Sequence, residues 1–437
     1  MITTVFIVGV ALILAILLRR RAHWAVGLYL VLWTLVPEAE MQSFGDSALP
    51  IGLHPASWLI ISMFVIQLVS RPSAVAKAIR FHPAILSLFG IGVVMLVATI
   101  VGRGRLQIFS EEVGVPILAL IIVLIAATEQ RSIVKQLALL IVALAAVVSI
   151  GGIAEFISGR YLFYIEANQA AYAWYNANAF DRPMSTTGHA LVFGFFAACS
   201  IPLLVVIRSA RLQFGLAVVL YTGVLVSQTR LSLVIASVAV LYLILRADTA
   251  PTTRLFLSVL IGLGSLCVVF FAGSLSTFQR FSLDDSSAEL RRISYGWYAE
   301  NWSSLPVIGS GMGSFSAVAQ ASGLSTSFES SLIQLLIDFG IPIVTVLVAT
   351  LVVLLLPRRG HRRLRGPLAA SIAAVTLTLT FSSIGNVTLV GPVLFVLIGM
   401  AVVNSPLDDR GEDLLPSSSA RASEPLVRVP VRESFST

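Results

Sequence analysis

The chain has 437 residues, 57% of them hydrophobic and only 12% charged, with a mean hydropathy of +0.93. A soluble domain carries about twice that charged fraction, so a soluble globular fold is excluded and a polytopic helical membrane protein is expected. The net charge of +7 would suit nucleic acid in a soluble protein, but here most basic residues lie in short loops between apolar runs, where they orient a protein in a bilayer.

The predicted architecture is all-α, with about twelve to thirteen membrane spans. They lie near 2–18, 24–37, 57–70, 84–102, 115–128, 133–157, 187–207, 213–228, 231–246, 255–275, 331–357, 367–384 and 387–404. The first span has no basic residue before it and Arg19, Arg20 and Arg21 directly after. A secretory signal has the opposite polarity, so a retained span with its N-terminus outside is expected. Cys199 and Cys267 both fall inside apolar spans, which points to neither a disulfide nor a metal site.

The loops sort by charge. Arg19–Arg21, Arg71/Lys77/Arg80, Arg131/Lys135, Arg208/Arg211 and Arg246/Arg254 fall on one side, with RRGHRRLR at 358–365 as the strongest member. The intervening loops are acidic or mixed: Glu38/Glu40/Asp46, then Arg103/Arg105/Glu111/Glu112, then 158–184. Arginine-rich short loops face the cytoplasm, so 158–184, 228–230 and the long polar interval 276–330 are expected together on the outer face. Residues 1–404 thus read as a transmembrane domain. The tail 405–437, rich in Ser, Pro, Arg and Glu, is expected to be disordered and cytoplasmic.

In chain order, the first polar feature is FDRPMSTTGHALVFGFF at 180–196, where His189 heads a span close to Arg182. A lone histidine is usually structural; its outer placement also suits a proton acceptor. Next is SQTRLS at 227–232, where one span hands over to the next. Arg230 either snorkels from a helix end or holds a phosphate in an outward cavity, a task for which its planar fork is shaped.

In the long interval, Asp284-Asp285 lacks the spacing of a metal-holding Asp-x-Asp. ELRRISYGWYAENW follows with Arg291 and Arg292. As a helix it places Ile293 and Trp297 on one face and Arg292 near Tyr295 on another, which fits an amphipathic helix at the membrane surface. Two arginines on the outer side run against the positive-inside bias, and an anionic lipid-linked ligand would account for them. PVIGSGMGSF at 306–315 has no strand before it and opens no βαβ unit, so a tight turn is expected in place of a dinucleotide site. In STSFESSLIQLLIDFG, Thr326 and Glu329 have capping-box spacing. Beyond them Ser330, Gln334 and Asp338 form a polar stripe expected to face a cavity.

The ordered set of motifs resembles the O-antigen ligase and polymerase superfamily. It comprises RP…T.GH…FG entering a span, a span ending in T-R, an outer loop with R…W/Y…P..G.G.GSF, and E-S-x-x-L…G opening the next span. The likeness covers roughly residues 130–400. It implies a metal-independent, cofactor-free glycosyltransferase of GT-C type at the outer face of the bacterial inner membrane. Its donor would be an oligosaccharide on undecaprenyl diphosphate. By position, Arg230 and Arg291, with Arg292 as the alternative register, would hold the diphosphate.

Ligases of the superfamily carry a histidine where FESSL begins, and here that position is Phe328 or Glu329. This favours a polymerase. Arginines would stabilise the departing diphosphate, and Glu329, then His189, then Asp338 are the candidate acceptors of the acceptor-hydroxyl proton. Tyr295, Trp297 and Trp302 would stack on sugar faces. The rival readings are a ligase, a lipid-linked glycan transporter or flippase, and an assembly factor whose loop binds other polysaccharide assembly proteins. A transporter of this size often carries matching broken helices in two halves, and no such repeat is visible.

Overall fold

The computed structural model describes residues 2–43, 52–130, 132–171, 175–177, 180–245, parts of 251–262, 285–324, 328, 330–356, 361–363, 365–380 and 387–406. The fold is helical apart from a three-residue ribbon, β1 (His361–Arg363) paired antiparallel with β2 (Asn404–Pro406). The first helices are α1 (Ile2–Leu18), α2 (Ala22–Leu35), α3 (Glu38–Ser43), α4 (Pro55–Ser70), α5 (Pro72–Arg80) and α6 (Pro83–Val101). Next come α7 (Leu106–Glu129), α8 (Ser132–Ser158), α9 (Ile165–Ala171), α10 (Ala190–Val206), α11 (Ala210–Val226) and α12 (Arg230–Leu245). The polar interval supplies α13 (Asp285–Asn301) and α14 (Phe315–Ala321), and α15 (Ser331–Leu355), α16 (Arg365–Thr380) and α17 (Val390–Val402) follow.

Among these, α6, α7, α8 and α15 are long and apolar enough to cross a membrane singly. The bent pair α4–α5 makes a fifth if counted as one span. Six further apolar helices are 10–17 residues long. The spans expected from hydropathy therefore include long and short helices, a 14-residue helix rising only about 21 Å against a hydrocarbon core of about 30 Å, while most of the span expected at 255–275 lies outside the described residues.

The core follows from which helices are apolar all round. In α7 every side chain from Ala119 to Ala126 is buried, and so is the whole of α17. Helices without a polar face belong in the centre, and α7 packs there against α2, α4 and α17. By contrast α6 leaves Leu86, Val93, Val94, Val97, Ile100 and Val101 on the outside, as a lipid-facing helix does.

One boundary is corrected. Glu111 and Glu112 were expected in a loop ahead of a span starting at 115, yet the helix begins at Leu106 and both carboxylates are buried within it. Residues Ser110–Gly114 form a π segment. Pro116 lacks an N–H and its ring crowds the carbonyl of residue 112, so the preceding turn widens.

The loops gather at opposite ends of the bundle. At one end Gln67 Nε2 donates to the Arg19 carbonyl at 2.6 Å, and Arg71 pairs with Glu129 at 2.5 Å. At the other end the loop 158–189 lies over the ends of α2 and α8. Thr186 Oγ1 donates to Thr34 O at 2.7 Å, Tyr164 donates to Leu35 O, and His54 Nε2 donates to Val36 O at 3.1 Å. The basic loops 19–21 and 71–80 thus share an end with the start of α8, as their charge predicts. Residues 407–437, with all of the expected tail beyond Pro406, lie outside the described residues.

Candidate functional site

The polar end is built on four buried carboxylates, each of which collects donors from irregular backbone. Inside a bilayer an unsatisfied N–H costs several kcal/mol, on the order of what one carboxylate can recover, so every break in a helix needs an acceptor nearby. Glu111 accepts from the His54 N–H at 2.5 Å and from Ser57 Oγ at the head of α4. Glu112 accepts from the N–H and hydroxyl of Thr388 and from the Gly391 N–H at 3.1 Å, at the head of α17. Glu155 takes the N–H groups of Leu162, Met184 and Ser185 at 3.0, 2.9 and 2.7 Å, which staples the loop 158–189 to α8.

The fourth is Asp338. Its carboxylate accepts from the Gly313 and Phe315 N–H groups and from Ser314 Oγ, each at 2.8 Å. Those groups are the entry of α14, whose first N–H groups have no partner within the helix. The expected polar stripe on α15 is corrected in its direction. Ser330, Gln334 and Asp338 are all buried, and the bonds given for them run to the 285–328 stretch. Gln334 Nε2 donates to Phe328 O at 2.9 Å, and Tyr295 shares a 3.2 Å hydrogen bond with Ser330.

Beside Asp338 three glycine-bearing segments cross. Gly340 breaks α15 with φ 72°, ψ 167°, and a methyl group there would coincide with the Val307 carbonyl. A methyl at Gly309 would strike the Asp338 carbonyl, and one at Gly102, after α6, would strike Ser310 O. The close approach is held by Gly311 N–H to Asp338 O at 2.8 Å and Arg105 N–H to Met312 O at 2.7 Å. Met312 N–H donates to Thr99 Oγ1 at 3.2 Å. The GSGMG stretch is therefore the tight turn expected of it, and it bonds the 285–324 segment to α6 and α15 together.

The predicted site residues are distributed as follows. Arg230 is the first residue of α12 and is exposed. It sits where a positive charge opposes the helix dipole, so helix stability does not explain it. The turn before it is rich in hydroxyls: Ser227 and Thr229 bond each other at 2.9 Å and, with Ser232, crowd Gly194 of α10. Arg291 is half-buried on α13. Arg292 is exposed and closes its fork on Glu289, at 2.8 Å through Nε and 2.5 Å through Nη2. Helix α13 packs on α15, whereas α12 packs on α10, α11 and α16.

Ile293 and Trp297, expected on one face of α13, differ in burial. Ser294 is buried and Trp297 and Tyr298 are half-buried, while Ile293 is exposed. Trp297 lies 5.3 Å from Phe328, ring to ring, in a small core of Phe315, Ala319, Phe328, Ile333 and Ile337. Its indole therefore helps pack the 285–324 segment against the head of α15. Tyr295 and Trp302 keep 48% and 53% of their surface exposed.

His189 is the N-cap of α10, where its Nδ1 accepts the Leu191 N–H at 3.1 Å. Burial, helped by the Arg182 charge, pushes its pKa down to about 3, so the ring is neutral and a weak proton acceptor. The capping box is corrected as well: the N-cap of α15 is Ser330, four residues beyond Thr326. Phe328 is buried in the small core, and its carbonyl accepts the Ser330 N–H at 2.7 Å. Glu329 and Thr326 lie outside the described residues, as does Asp284. Among the described residues no three His, Cys, Asp or Glu side chains gather as metal ligands.

Sequence reading missed Glu111, Glu112 and Glu155, although a carboxylate in an apolar span is itself a signal. It also missed Glu289, three residues before Arg292 and so within ion-pair reach on a helix. Compared with protein-family models, curated proteins and solved structures, the chain matches none.

Proposed function

We propose that this chain is a membrane polysaccharide polymerase of O-antigen or exopolysaccharide type. It would join repeat units carried on undecaprenyl diphosphate, without a metal, at the outer face of a bacterial inner membrane. In this reading the shorter apolar helices also span or line the bilayer in a GT-C-like bundle, and the polar end is extracytoplasmic.

The observation that carries the reading is the fixed attachment of the α13–α14 segment to the head of α15 through Asp338, the glycine crossing and the Tyr295–Ser330 contact. An enzyme that stabilises a departing diphosphate by charge needs its cations held in place before the reaction. A loop anchored at three points supplies such a frame for Arg291. Arg230, exposed at a helix start that does not favour it, is the second cation. Tyr295 and Trp302 would stack on the glycan. Glu329 is the first choice for accepting the proton of the attacking hydroxyl. His189 and Asp338, which cap backbone, act in this reading as positioning residues.

Glycan analysis in a deletion strain tests the proposal. Single lipid-linked repeat units on the outer leaflet, with long chains absent, are expected. Full-length lipid-linked polymer that never reaches its final acceptor would mean a ligase, and single units trapped on the inner leaflet would mean a flippase.

A further inference from the structure

The end of the bundle opposite the glycine crossing carries a surface that the catalytic reading does not use. Helices α4 and α5 are bent by 109° at Arg71, so α5 lies across the end of the bundle. Its Val75 and Ala78 are buried, and the helix packs on α7. Lys77 and Arg80, in its last turn, are exposed. The hydrogen bond from Gln67 to the Arg19 carbonyl brings Arg19, Arg20 and Arg21 alongside, and Lys135 stands in the first turn of α8, just past Glu129. The carboxylate of Glu129, beside them, is taken by Arg71. Arg19, Arg20, Arg21, Lys77, Arg80 and Lys135 are exposed, and among the described residues none of them forms an ion pair. Trp24 beside them is 58% exposed, as an aromatic at headgroup depth would be.

We propose that α5 and the 19–24 turn form an interfacial platform that binds the headgroups of anionic phospholipids. The argument is charge complementarity on a fixed geometry. A short amphipathic helix pinned across the end of a membrane bundle presents its cations at the level of lipid phosphates, and among the described residues no carboxylate pairs with them. The bend at Arg71 creates that placement, since a straight continuation would carry Lys77 and Arg80 away from the surface.

The test is lipid titration of the purified, delipidated full chain followed by native mass spectrometry, with phosphatidylglycerol against phosphatidylcholine. Phosphatidylglycerol should bind more tightly. The double variant Lys77→Gln/Arg80→Gln should weaken it by about fivefold for each charge removed and leave phosphatidylcholine unchanged. The charge-preserving variant Lys77→Arg/Arg80→Lys should keep the preference, which separates lost charge from misfolding. Equal binding of the two lipids, an unchanged affinity in the Gln variant, or displacement of phosphatidylglycerol by an equal concentration of inorganic phosphate would each overturn the proposal.

Discussion

The carboxylate of Asp338 accepts the backbone N–H of Gly313 at 2.8 Å, across 25 positions of sequence. With the bonds to Ser314 and Phe315 it makes a residue of a membrane span the N-terminal cap of a helix outside that span. The same residue's carbonyl receives the Gly311 N–H.

Asp338→Ala leaves two buried N–H groups and a part-buried hydroxyl without an acceptor, and a loss of about 2–5 kcal/mol is expected. Asp338→Asn keeps the shape but turns an NH2 group toward donors, so it should lose less. Limited proteolysis within 285–324 and the thermal midpoint in detergent check both. If Ala left protease resistance unchanged, the anchoring role would fall.

Gly340→Ala and Gly309→Ala each put a methyl group onto a backbone carbonyl, at Val307 and Asp338 respectively, and both glycines have positive φ. The 285–324 segment has to move or the break in α15 has to close. Each variant should match or exceed Asp338→Ala in protease sensitivity. Gly90→Ala, where a methyl meets nothing within 4 Å, is the control and should behave as the native chain.

On the polymerase reading, Arg230→Ala and Arg291→Ala should abolish long glycan chains while the protein stays in the membrane. Lysine at either position should rescue poorly, because a point charge loses the bidentate grip on phosphate. Arg292→Ala should be milder, since that guanidinium is already closed on Glu289. Glycan size profiles in complemented deletion cells give the readout, and normal chains from Arg230→Ala would refute the phosphate role.

Two capping histidines give the protein an acid limit. Burial lowers His54 to about 4 and His189 to about 3, against 6.5 for an exposed imidazole. Between those values the unfolded chain binds protons that the folded chain refuses. Their stabilising contribution is therefore complete above about pH 6.5 and is lost as pH falls toward 4, at about 2 kcal/mol per histidine by pH 5. The thermal midpoint should drop from pH 7 to pH 5, and His189→Asn, which can still cap α10, should flatten that slope.

Composition and hydropathy alone determined that the chain is helical and suited to a membrane, and where most helices lie. Spans predicted at 133–157 and 231–246 match Ser132–Ser158 and Arg230–Leu245 because apolar periodicity and length are local properties. Charge sorting likewise anticipated that 19–21 and 71–80 meet at one end. The turn at GSGMG was legible because glycine spacing is itself a backbone signal.

The tertiary structure alone decided what the polar residues do. Sequence spacing made Thr326 and Glu329 a cap and aimed Asp338 at a cavity, whereas the cap of α15 is Ser330 and Asp338 binds the glycine turn. Glu111 and Glu112 read as loop residues, yet each is buried against the head of a distant helix. The physical reason is common to all of them. In an apolar surrounding a carboxylate goes where unpaired backbone donors are, and those donors come from segments up to 279 positions away that no local pattern can pair.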